Sequence, residues 1–185
     1  MSLHIKYLAI FILYTVMASS RQYMDAGYRF EPEETITKLV SYKAKAVIFL
    51  SPACPLCQGY SLTLRKLYES YHSKGIEFEG VVSGSSFSAG EIKEYKKKFK
   101  IPFQIVSDPG MLLAQTYHAT ITPEVIILDP GNKVLYSGRI DNWAYALGRR
   151  RQSVTENNLK DALEDILNNR EIKTPKTTAI GCFIE

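Results

Sequence analysis

Five consecutive apolar residues, Ala46-Val47-Ile48-Phe49-Leu50, run directly into Ser51-Pro52-Ala53-Cys54-Pro55-Leu56-Cys57. Leu62, Leu64, Leu67, Tyr68 and Tyr71 then recur at helical spacing until Ser73-Lys74-Gly75. A short, continuous apolar run is the pattern of a strand buried on both faces, and a Lys-Gly stop after amphipathic spacing ends a helix. The two cysteines therefore sit where a buried strand becomes a helix. Downstream, strands are expected over 77–82, 103–106, 124–128 and 133–138, and helices over 91–99, 111–117 and 155–169. A Gly/Ser-rich loop at 83–90 and turns at 108–110 and 129–132 separate them. Strands alternating with helices and closing on a hairpin predict an α/β domain with a mixed sheet.

Cysteines two residues apart at a helix start suit dithiol chemistry. One turn brings the sulfurs toward each other, and the free N–H groups and positive dipole end of the helix stabilise a thiolate at the first cysteine. On this reading Cys54 is the nucleophile and Cys57 the resolving thiol. Pro55 falls where a helix begins, so its missing N–H costs nothing. A structural disulfide or half of a tetrahedral zinc site uses the same spacing, although no second pair so spaced exists to complete a four-cysteine site.

The buried strand, Cys54-Pro55-Leu56-Cys57, the helix-and-strand insertion after Val82, Thr122-Pro123 before an apolar strand and the Asp129-Pro130-Gly131-Asn132 hairpin together resemble the thioredoxin superfamily over residues 43–169. In particular they are similar to the exported redoxins, the TlpA-like thiol-disulfide oxidoreductases that share the AhpC/TSA-type domain. The resemblance implies a thioredoxin-like fold with a central mixed sheet of four or five strands, helices on both faces and a βα insertion before the cis-Pro strand. It implies that Thr122-Pro123 is a cis peptide beside the cysteines and leaves a backbone edge open to a substrate chain. Cys54, Cys57 and Pro123 become the catalytic candidates, with Thr122 and Pro55 as substrate contacts. The expected partners are protein thiols and disulfides and an upstream redox partner, and no organic cofactor or metal is required.

Departures from the family pattern leave alternatives. Ala53 stands where these sites usually carry Trp. Peroxiredoxins place Pro and Thr or Ser seven and three residues before their reactive cysteine, and here Val47 and Ser51 occupy those positions. Ser51, and Arg139 if it approaches Cys54, keep a thiol peroxidase as an alternative. The acidic residue common after the inserted strand is missing from 82–86, so proton handling at Cys57 is unassigned. Sco-type copper proteins use a wider cysteine spacing and a histidine near the position of Pro123. A copper-binding or assembly module using the same cysteines is a second alternative, with His118 and His72 read as helix-end residues.

Cys182 lies in an apolar tail, 170–185, beyond the last helix. Either the tail folds back, with Ile180 and Phe183 in the groove beside Pro123 and Cys182 near Cys54 or a metal held there, or it frays as termini commonly do. At the other end, Lys6 precedes the apolar stretch 7–18 and small residues at 18–20. This is the anatomy of an export signal. The expected organisation is a signal peptide at 1–20, a lead-in at 21–42, a redoxin domain at 43–169 and the tail. A retained anchor is the alternative, since a span needs about 20 apolar residues. Export, periplasmic or extracellular, places the thiols in an oxidising compartment.

Composition adds mainly exclusions. With 45% hydrophobic and 23% charged residues and three cysteines, collagen-like, disordered and disulfide-scaffold classes are ruled out. A net charge of +4 names no partner. The lysine-rich stretch 93–100 reads as a solvated helix face rather than a nucleic-acid site, and Arg149-Arg150-Arg151 as a loop able to steer an acidic partner.

Overall fold

The computed structural model describes residues 42–185. The signal expected over 1–20 and nearly all of the lead-in lie outside the described residues. Among them, no helix is long and apolar enough to cross a membrane.

The apolar run forms strand β1 (Ala44–Phe49), and Pro55 opens helix α1 (Pro55–Tyr71). A short 3-10 turn ends at Gly75, whose positive φ of 90° is the left-handed geometry that stops the helix. The chain continues through β2 (Ile76–Ser83), α2 (Ala89–Lys98), β3 (Gln104–Asp108), α3 (Leu112–Tyr117), β4 (Ile121–Thr122), β5 (Glu124–Leu128) and β6 (Val134–Gly138). It ends with β7 (Ala144–Ala146), β8 (Arg149–Arg150), α4 (Asn158–Leu167) and β9 (Cys182–Phe183).

The main sheet has the order β3-β2-β1-β5-β6. β1 and β3 lie parallel to β2, whereas β5 runs antiparallel to both β1 and β6. Alternation along β1 divides the core into two layers. Ala46 and Ile48 lie in one layer with Leu64 of α1, Tyr95 of α2 and Leu163 of α4, while Val47 and Phe49 lie in the other with Ala114 of α3. This is the five-stranded mixed sheet with helices on both faces that the resemblance implied.

Three local expectations change. Helix α2 starts at Ala89 rather than 91 because Ser88 and Glu91 form a reciprocal capping box. Helix α4 starts at Asn158 rather than 155. The Asn142 side-chain carbonyl accepts the N–H groups of Thr155 and Glu156 at 3.0 and 3.2 Å, holding that segment extended before the helix can begin. The arginine loop is a small antiparallel hairpin, β7 with β8. In it the Arg150 guanidinium lies 4.7 Å from the centroid of Trp143, a cation–π contact that occupies one of the charges.

The tail does not fray. Ser137 donates its N–H to the Pro175 carbonyl at 3.0 Å, and Thr177 returns one to the Ser137 carbonyl at 2.9 Å, so the tail first runs along the β6 edge. Gly138 is required there: its φ is 145°, and a Cβ would collide with the Thr177 backbone carbonyl. Beyond Gly181 the chain crosses back as β9 and pairs antiparallel with β4.

Candidate active site

The site assembles where β1 ends. Cys54 is the N-cap of α1 and Pro55 its first residue, exposed to solvent. Gln58 donates its N–H to the Cys54 carbonyl at 3.1 Å, closing the first turn. That turn carries Cys57 inward until it is fully buried, and its sulfur accepts the Ser51 N–H at 3.4 Å.

From the opposite side comes the loop before β5, in which Thr122-Pro123 is cis. Buried Glu124 shapes this loop by accepting the N–H groups of Thr120 and Ile121 at 3.1 and 3.3 Å. The Thr122 carbonyl lies 3.2 Å from the Cys54 sulfur and accepts from it while that sulfur carries its proton. The third arrival is the tail. Thr122 pairs with Cys182 across β4 and β9, and the Cys182 thiol donates to Cys54 at 2.7 Å, across 128 residues of sequence. Cys54, Cys57, Thr122, Pro123 and Cys182 thus converge. Ile180 is partly buried against the core, but Phe183 does not dock: it is 74% exposed. Placing Cys182 opposite Thr122 turns the next side chain to the other face of the strand, and Ile184 packs instead.

The electrostatics separate the three thiols. The Cys57 thiol donating to Cys54 is the largest influence on that group; burial opposes it, and the Cys182 donor assists, so Cys54 is held down to about 4. Burial, then the hydrogen bond that it gives to the charged Cys54, pushes Cys57 well up. The same two causes push Cys182 up to about 11. An unperturbed cysteine near about 8.5 is only a few per cent thiolate at neutral pH. Because the shift at Cys54 is downward, its ionised form should be complete at neutral pH and be lost only as pH falls through about 4. Thiolate ultraviolet absorbance of the reduced chain should show that midpoint. A single transition in the ordinary cysteine range would contradict it.

Two neighbours emerge that the sequence reading did not single out. Tyr95, on the lysine-rich helix α2, buries a hydroxyl without a hydrogen-bond partner, and burial followed by the charges of Cys57 and Cys54 raises its pKa. Its signal was the Ile92, Tyr95, Phe99 spacing on an otherwise polar helix. Glu124 was visible as a carboxylate heading an apolar strand. Trp143 was noted without a location; it packs on α1, edge-on to Tyr60 at 5.1 Å and against Gly59, where a Cβ would come within 2.8 Å of the indole. Arg139 is engaged elsewhere, on Asn158 at 2.8 Å and Glu156 at 2.6 Å. Among the described residues, no group of three or more His, Cys, Asp or Glu side chains is disposed to hold a metal ion.

Comparison with known proteins places the chain in a family and a fold. Residues 29–137 match the AhpC/TSA family. A chloroplastic peroxiredoxin Q from Oryza sativa subsp. japonica is 36% identical over 66 residues, 35% of this chain; the match spans 29% of that protein's length. The thiol-disulfide oxidoreductase ResA of Bacillus cereus is 25% identical over 134 residues, covering 68% of this chain and 76% of ResA. Among solved structures, an uncharacterized conserved protein from Geobacillus kaustophilus superimposes with a TM-score of 0.70 at 25% identity, over 81% of this chain and 80% of that one. The fold is thioredoxin-like.

Proposed function

The chain belongs to the AhpC/TSA family, and we propose that it is an exported thiol-disulfide oxidoreductase in which Cys54 is the nucleophile and Cys57 the resolving thiol. The observation that carries the reading is the position of Cys54: at a helix N-terminus, beside the cis Thr122-Pro123 peptide, with other thiols donating to its sulfur. In the reducing direction, the Cys54 thiolate attacks one sulfur of a client disulfide. A Cys54–client bond forms, the client S–S bond breaks, and the electron pair leaves on the other client sulfur. Cys57 then attacks the Cys54 sulfur, the Cys54–Cys57 disulfide forms, and the client leaves as a second thiolate that takes up the Cys57 proton. The reverse sequence oxidises a client dithiol. Protein thiols and disulfides are the substrates, and an upstream redox partner resets the pair. Export rests on the expected signal at 1–20.

The thiol-peroxidase alternative needs donors fixed around a developing oxyanion. Val47 stands where that site carries Pro, and Arg139 is held by Glu156 and Asn158, so disulfide exchange is favoured.

The test is the reduction potential of the Cys54–Cys57 pair, read by thiol trapping and mass spectrometry across graded dithiothreitol buffers. A reversible value between about −120 and −270 mV, the span of known exchange proteins, is expected. A pair locked below about −300 mV would assign it a structural role.

A further inference from the structure

The tail lies on the backbone edge beside Thr122-Pro123 that the family resemblance leaves open to a client chain. Strand β9 pairs antiparallel with β4, Cys182 opposite Thr122 at the residue preceding Pro123, and Ile184 donates its N–H to the Thr120 carbonyl at 3.0 Å. Backbone approach there is close: a Cβ on Gly181 would collide with the Thr122 carbonyl, and one on Gly84 with the carbonyl of Glu185. The tail is also anchored upstream on Ser137. The meeting of Cys182 with Cys54 at 2.7 Å is therefore set by main-chain pairing on both sides of it. Of the two thiols that reach Cys54, Cys57 is fully buried and Cys182 is partly exposed.

We propose that Cys182 is a third exchange thiol, presented by the chain's own C-terminal strand in the position of a client polypeptide, so that the Cys54–Cys57 disulfide isomerises to Cys54–Cys182. The inference rests on the reading of Cys54 as the exchange nucleophile. The Cys182 thiolate attacks the Cys54 sulfur; the Cys54–Cys182 bond forms, the Cys54–Cys57 bond breaks, and the electron pair leaves on Cys57, which takes the proton that Cys182 gave up. No oxidant or reductant is consumed. Burial favours the protonated form of Cys57, the form it holds in this isomer. In the Cys54–Cys182 isomer the tail is bonded across the site. In the Cys54–Cys57 isomer the Cys182 thiol loses its thiolate acceptor, and the strand can yield its edge to a client.

The test uses the full chain carrying Cys57→Ser, and the same chain also carrying Cys182→Ser, each reduced, treated with oxidised glutathione, acid-quenched and analysed by intact mass and peptide mapping. With Cys57→Ser alone, Cys54 should take one glutathione and release the other, and Cys182 should then expel the bound one. The expected product is a monomer with linked Cys54 and Cys182 peptides and no glutathione. The double variant should keep glutathione on Cys54. Equal retention by both chains, or a Cys54–Cys182 link found only in dimers, would overturn the third thiol and leave the Cys54 reading intact. Two unreactive chains would remove both. Because serine at buried position 57 can impair folding, the unsubstituted chain is also mapped in graded thiol buffers. Both disulfides should be found, in a ratio independent of buffer potential, since their interconversion transfers no electrons. Cys54–Cys57 without any Cys54–Cys182 peptide would overturn the proposal.

Discussion

Cys54→Ser is expected to abolish catalysed reduction of a disulfide-linked peptide, leaving only the rate of the reductant alone. A serine hydroxyl ionises far above neutral pH and its oxygen cannot enter an S–S bond, so the first step loses both nucleophile and product. The loss should follow from chemistry rather than unfolding. At this buried site a serine hydroxyl keeps the Thr122 carbonyl as its acceptor, and the backbone bonds that position residue 54, its N–H to Ser51 at 3.1 Å and its carbonyl from Gln58, do not involve the side chain. Circular dichroism should therefore be unchanged. Peroxide consumption measured beside the peptide assay separates the two redox readings: a peroxidase would consume peroxide rapidly through Cys54 and exchange disulfides poorly. Full peptide reduction by Cys54→Ser would overturn the assignment and move the nucleophile to another thiol.

Gly181→Val is expected to expose Cys54. The added side chain begins with a Cβ placed against the Thr122 carbonyl, and backbone cannot give way as a flexible side chain would. What it breaks is the seat of the tail: the β4–β9 pairing, the Ile184 bond to Thr120, and the 3.4 Å bond from the Thr122 hydroxyl to the Cys182 carbonyl. Three such contacts at about 1 kcal/mol net each total about 3 kcal/mol, a roughly 150-fold shift toward the open tail. Alkylation of Cys54 in the reduced protein at neutral pH, resolved by peptide mass spectrometry, should accelerate by a comparable factor. The gain is tempered by losing the Cys182 donor, a smaller influence on the Cys54 thiolate than Cys57. An unchanged rate would mean that the tail does not gate access.

The legible parts of this protein are those whose cause is close in sequence. A five-residue apolar run, a proline at the first helical position and apolar residues at helical spacing dictate β1 and α1 without reference to the rest of the chain. Apolar spacing alone starts α2 at 91, and the Ser88 and Glu91 capping box moves that start to Ala89. The start of α4 was not legible. Its first expected turn is claimed by Asn142, a residue 13 positions away whose side chain satisfies the same N–H groups the helix would leave free. Nor did the arginines announce that one of them would lie over Trp143, since that contact depends on a bulged hairpin between two very short strands.

The sequence by itself determined where the cysteine pair sits: at a strand-to-helix junction, where helix geometry favours a thiolate on the first sulfur. The family resemblance supplied the cis Thr122-Pro123 neighbour, 68 residues from Cys54, which local pattern could not place. Only the tertiary structure chose between a frayed tail and a returning one. That choice rests on a two-residue strand pairing between segments 60 positions apart, too short to leave a periodic signal, and on glycines whose missing side chains matter only once the backbones have met.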